Sequence, residues 1–201
     1  MPLLRLPVVA GCLLYVLLYG LATLRYPGGT HADPQAPGFS WMQNYWCNLL
    51  DATALNGAPN TARPVALLAT GVLAATLLLF WWGFAGRALV QRPLRRAMRA
   101  CGIAAMAVAA MLPFGPHDPV LYTASTLGLV PLAGTYIGLC HLGERALLRA
   151  GLVVIALIAA NNLCYHTPGL FGYLALVQKL TFLYFLGWTA LVEVRTAPST
   201  A

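Results

Sequence analysis

The chain reads as an all-α polytopic membrane protein, a bundle of six transmembrane helices with a short interfacial helix after the first span. Three observations lead there. Of its 201 residues, 60% are hydrophobic and 8% charged, whereas a soluble domain needs about 25% charged residues to keep its surface hydrated. The apolar residues fall in runs near the ~20 needed to cross a hydrocarbon core of about 30 Å, without the three-to-four spacing of amphipathic soluble helices. The arginines cluster in the short loops between those runs.

The first run, residues 6–24, follows Arg5 and is too long for the ~7 to 15 residue core of a signal peptide, and no A-x-A-like site follows it, so it reads as a retained helix. Further runs cover residues 64–89, 100–114, 120–142, 150–165 and 170–192. The third and fifth are short enough to begin in the headgroup region. The whole chain, 1–201, forms one membrane domain.

Orientation follows from counting basic residues on alternate sides. With the amino terminus inside, nine arginines (Arg5, Arg87, Arg92, Arg95, Arg96, Arg99, Arg145, Arg149 and Arg195) are cytoplasmic and two, Arg25 and Arg63, lie opposite. Both termini are then cytoplasmic and the protein sits in an inner, cytoplasmic membrane. The net charge of +7 is thereby absorbed by topology, and with no recognition motif beside it, nucleic acid is not a partner. The basic segment 87–99 also suits anionic headgroups, each arginine contributing about 1 kcal/mol near such a surface. Membrane lipids are the expected surroundings; a membrane-protein partner or a second copy of the chain remains open.

One extramembrane segment is substantial, residues 26–63. Its first half holds Pro27, Gly28, Gly29, Pro34, Pro37 and Gly38 and reads as irregular. In its second half, Ser40 followed by Gln43 is a capping-box signal and Asn56 with Gly57 a stop, which predicts a helix of about four turns over 41–55. On that helix Asn44, Asn48 and Asp51 share one face, while Met42, Trp46, Leu49 and Leu50 gather on the other and meet the lipid.

Lys179 is the sharpest single feature. It lies about nine residues, ~14 Å, into the final run, where an ammonium costs at least ~2.5 kcal/mol unless paired or hydrated. Gln178 adjoins it, and Asn161 and Asn162 lie in the outer part of the preceding run. Two readings stand side by side: a polar clamp between the last two helices, or an outward-facing pocket of Asn44, Asn48, Asp51, Asn162, Gln178 and Lys179 that binds a small anionic or lipid-headgroup ligand. The second is the leading expectation, with no resident cofactor.

An alternative is a zinc-dependent hydrolase at the outer face, with His117, Asp118 and His166 as ligands and an open position for water. No two of these stand three or four apart on one helix, so that set depends on tertiary proximity. The five cysteines form no C-x-x-C pair, and only Cys47 and Cys164 are placed to meet. There is no G-x-S-x-G elbow, no glycine-rich phosphate loop and no histidine pair for haem, so an enzyme is not favoured. A third reading is a non-catalytic scaffold or assembly component, supported by the small residues between Ala104 and Ala110, which permit close helix packing.

Pro37, Gly38, Phe39 and Ser40, followed by Asn44, Tyr45, Trp46, Cys47, Asn48 and Leu49, resemble the motif after the first span of DUF998, a bacterial family of six-span membrane proteins of unknown function. Gln178 and Lys179 are similar to the Q-R pair at the family's last span, and Pro113 to the Asp118 turn resembles its turn after the third. The resemblance implies topology and directs attention to one face without naming a substrate. Asn48 stands where the family carries an acid, leaving Asp51 as the nearby carboxylate.

Overall fold

A computed structural model describes residues 6–197, so Arg5 lies outside the described residues. Those residues are helical: α1 (Leu6–Leu24), α2 (Arg63–Ala88), α3 (Arg92–Ala109), α4 (His117–His141), α5 (Arg145–His166) and α6 (Leu174–Thr196). Short 3₁₀ turns occupy Trp46–Leu49 and Pro168–Tyr173, and isolated antiparallel bridges join Gly28 to Pro37 and Thr53 to Pro59. Five helical segments are long and apolar enough to cross a membrane, those of α1, α2, α4, α5 and α6.

The segment α3 is the exception. Arg92, Arg95, Arg96 and Arg99 occupy its first turns, and the chain leaves the helix at Ala109 for turns that run to Phe114. The helix begins eight residues before the apolar run because Pro93, whose fixed φ suits a first helical turn, and the helix-favouring arginines extend it backwards through what composition alone marks as a loop.

Contacts divide the chain into two compact units. Among the described residues, the first comprises 6–13, 70–151 and 187–197; the second comprises 14–69 and 152–186. In the first unit, glycines of α4 let side chains approach its backbone. A Cβ at Gly134 would stand 2.8 Å from Met98 Sδ, and one at Gly138 would stand 2.5 Å from Phe84 Cε1. Trp188 Nε1 donates to Leu147 O at 2.9 Å, and its ring lies 5.6 Å from that of Tyr136. Arg87 pairs with the buried Glu193 and reaches Thr196, while Arg195 lies 3.7 Å from Glu144.

In the second unit the core is aromatic. Trp46 sits among Tyr15, Tyr19 and Phe182, with ring centroids 5.8, 4.8 and 5.4 Å away. Segment 25–62 is a folded cap with a buried interior that includes Thr30, Asn44, Leu49, Leu50, Ala54 and Asn60.

Candidate functional site

The cap owes its shape to asparagine side chains that bond backbone. Asn44, fully buried, accepts the Ser40 N–H at 2.8 Å and donates to Gly29 O at 2.8 Å, tying the tip of the cap to its entry. Asn48 Oδ1 accepts Tyr45 N–H at 2.8 Å. Asn60 donates to Asn48 O at 3.0 Å and to Asp51 O at 2.9 Å. Tyr26 Oη accepts the Leu55 N–H at 3.0 Å, and Thr61 Oγ1 donates to Arg25 O at 2.6 Å.

Such bonds offer the backbone an alternative to a helical ladder. They correct the four-turn interfacial helix expected over 41–55: the only helical turn there is the 3₁₀ turn Trp46–Leu49, and Asn44, Asn48 and Asp51 do not line one helical face. The capping-box signal at Ser40 is satisfied by Asn44 in place of Gln43. The entry to the cap depends on two glycines. Gly28 and Gly29 have φ of 139° and 87°, and a Cβ at Gly29 would stand 2.3 Å from Asn56 N, so both freedom and absence of a side chain are required there.

Lys179 fastens α6 to this cap. The residue is 3% exposed; Nζ donates to Asn44 O at 2.5 Å and to Ala175 O at 2.8 Å and lies 5.5 Å from the centre of the Phe39 ring. The adjacent Gln178 accepts the Trp46 N–H on Oε1 at 3.1 Å. Two consecutive polar residues of α6 are thus spent on cap backbone, and the cation is solvated by two carbonyl dipoles and an aromatic face. Because α6 starts at Leu174, Lys179 stands five residues into it, roughly 8 Å along the axis, less than the sequence spacing implies.

The residues named from sequence divide accordingly. Asn44, Gln178 and Lys179 come together, and Asn48 joins them through the 3₁₀ turn. Asp51 contributes its backbone carbonyl, with an exposed side chain whose negative charge is felt at Tyr26 and Cys47. Burial and then that carboxylate push the Cys47 thiol up to about 12, so it is neutral at physiological pH. Asn162 does not join: it is exposed and donates to Ile158 O of its own helix at 3.0 Å. Asn161 instead reaches α6, at Thr181 Oγ1 and, at 3.5 Å, Val177 O.

His117 Nδ1 lies 2.9 Å from Asp118 Oδ1, both exposed, and His166 packs edge-on to Tyr165. Among the described residues no three of His, Cys, Asp and Glu are grouped to hold a metal ion, so the geometry lends the His117, Asp118 and His166 set no support; all five cysteines are free, Cys47 and Cys164 included. Sequence reasoning missed Thr30 and Asn60 and named Phe39 only within the family motif. Their partners lie far along the chain or are backbone atoms, and no local pattern signals either.

No family model, curated protein or solved structure matches this chain. The residues themselves carry the reading.

Proposed function

We propose that the chain is an inner-membrane protein that crosses six times, with both termini cytoplasmic, and that it acts as a non-catalytic scaffold or assembly component presenting the folded cap 25–62. Five apolar helices and the arginine asymmetry support the topology. The sixth crossing uses the apolar part of α3 with the turns that follow it, and the resemblance to the DUF998 family agrees with that count.

The observation that carries the role is the pair of bonds from Lys179 and Gln178 to the Asn44 and Trp46 backbone. Four of the polar groups expected to line a site, Asn44, Asn48, Gln178 and Lys179, are occupied in bonding the backbone of the cap. A pre-formed surface binds a partner without an ordering cost, and Trp41 and Met42 are exposed at its tip, at 52% and 55%. Purification from native membranes in mild detergent tests this: a stoichiometric partner, or a second copy, is retained by wild type and released by Lys179→Met. A chain that purifies alone in both forms contradicts it.

A second reading rests on a different observation. Among the described residues the buried Lys179 ammonium has no ion-pair partner, so an anion reaching it would gain the Coulomb energy that the fold leaves unused. The ligand is then a small anion or lipid headgroup, and inorganic phosphate or phosphatidylglycerol raises the Tm of wild type more than that of Lys179→Met.

A further inference from the structure

The first unit holds a guanidinium that its neighbours do not neutralise. Arg87 pairs with Glu193 and Arg195 approaches Glu144, whereas among the described residues Arg99 has no carboxylate partner. Its guanidinium carbon lies over Trp82, 4.2 Å from the ring centre, with Nη2 donating to Trp82 O at 2.9 Å and Nε buried without a hydrogen-bond partner. Arg92, Arg95 and Arg96 precede it on α3 by seven, four and three positions and share its side of the helix. No Asp or Glu occurs anywhere in residues 88–116 to offset them.

Beside this cation lies a cleft of about 280 Å³ between α2 and α3, lined by Leu78, Leu79, Trp81, Trp82, Gly102 and Ile103 with Arg99 among them. Gly102 lets the Trp81 ring lie close against α3, since a Cβ there would stand 2.8 Å from Trp81 Cε3. Leu79 and Trp82 on α2, a helix long and apolar enough to cross a membrane, and Ile103 on α3 are exposed, at 55%, 56% and 48%. An unneutralised arginine next to an open hydrocarbon-lined cleft is complementary to an amphiphile. A soluble anion would leave the cleft unfilled, and a peptide would bring unpaired backbone groups into an apolar channel.

We propose that the cleft between α2 and α3 is a binding site for an anionic phospholipid, its phosphate against Arg99 and an acyl chain along Leu78, Leu79 and Ile103. The Trp82 ring and the bond to Trp82 O hold the guanidinium in place, and its unneutralised charge favours an anionic phospholipid over a zwitterionic one. This site is independent of the Lys179 cluster.

The test is lipid binding to the purified full chain, with phosphatidylglycerol and phosphatidylcholine compared by native mass spectrometry. Phosphatidylglycerol is retained preferentially by wild type and by Lys179→Met, and Arg99→Gln lowers its affinity about fivefold, the equivalent of one arginine at an anionic surface. Arg99→Lys, which keeps the charge but loses the fork, gives an intermediate loss. Equal retention of the two lipids overturns the proposal, as does an Arg96→Gln variant that loses as much as Arg99→Gln, because binding is then diffuse surface charge. Should the Arg99 variants fail to fold, wild type alone decides: brominated-chain phosphatidylglycerol quenches tryptophan emission more than brominated phosphatidylcholine if the site exists, and equally if it does not.

Discussion

Lys179 and Arg87 are both cations withdrawn from water, one in each compact unit, and they are accommodated in opposite ways. Arg87 meets a carboxylate, the buried Glu193. Lys179 meets the carbonyls of Asn44 and Ala175 and the Phe39 ring. An ion pair joins two side chains and leaves the backbone alone; a lysine that bonds main-chain carbonyls prescribes the path of a loop. The polar residues of the second unit thereby define the shape of segment 25–62, while the Arg87–Glu193 pair of the first joins α2 to α6.

The largest expected effect comes from breaking the ion pair on one side. Arg87→Ala strands Glu193, which is 4% exposed, and should cost about 3 kcal/mol. Thermal unfolding in detergent should show a Tm lower by about 9 °C; Glu193→Gln in the same background should recover much of it, and no recovery would mean that packing, not charge, holds the contact.

Next is Asn44→Ala, which leaves the Ser40 N–H and Gly29 O without partners in a buried site. Its cost of about 2 kcal/mol should appear as protease sensitivity confined to segment 25–62, where Arg87→Ala has no such local effect. Cleavage elsewhere would erase the contrast between the two regions.

A smaller effect is chemical. The Cys47 thiol titrates at about 12 in place of its ordinary 9.0, so the folded state holds that proton more tightly than the unfolded chain does. Its contribution to stability is complete below pH 9 and is lost as pH rises from there toward 12. Alkylation of Cys47 by iodoacetamide should be negligible at neutral pH and should accelerate only on alkaline titration; rapid labelling at pH 7 would show that the cap opens. The smallest effect belongs to Arg195→Ala. Its contact with Glu144 is long, at 3.7 Å, and the arginine side chain is 58% exposed, so the Tm should move by less than about 2 °C.

What the sequence made legible follows the same division. Apolar run length located the helices because lipid permits little else to span it, and α1 ends where its run does. Lys179 was visible as a charge inside an apolar run, and Gln178 beside it. The path of 41–55 was not, because helical spacing among Asn44, Asn48 and Asp51 looks the same whether the asparagines face solvent or bond the backbone. Asn162 was named where Asn161 makes the contact, since the rotation of α5 about its axis is set by packing and leaves no trace in two adjacent identical residues. The start of α3 was hidden for another reason: Arg92 to Arg99 serve equally as a topological anchor and as helix.

Hydrogen–deuterium exchange on wild type and Lys179→Met in the same nanodiscs addresses the fastening of the cap most directly. The ammonium bonds are expected to be worth about 2 kcal/mol, so amides of the cap, those of Gly29, Ser40 and Trp46 among them, should exchange roughly thirtyfold faster in the variant while the amides of α3 and α4 keep their protection. Unchanged exchange across segment 25–62 would contradict the account and leave Lys179 as a buried cation with no structural duty.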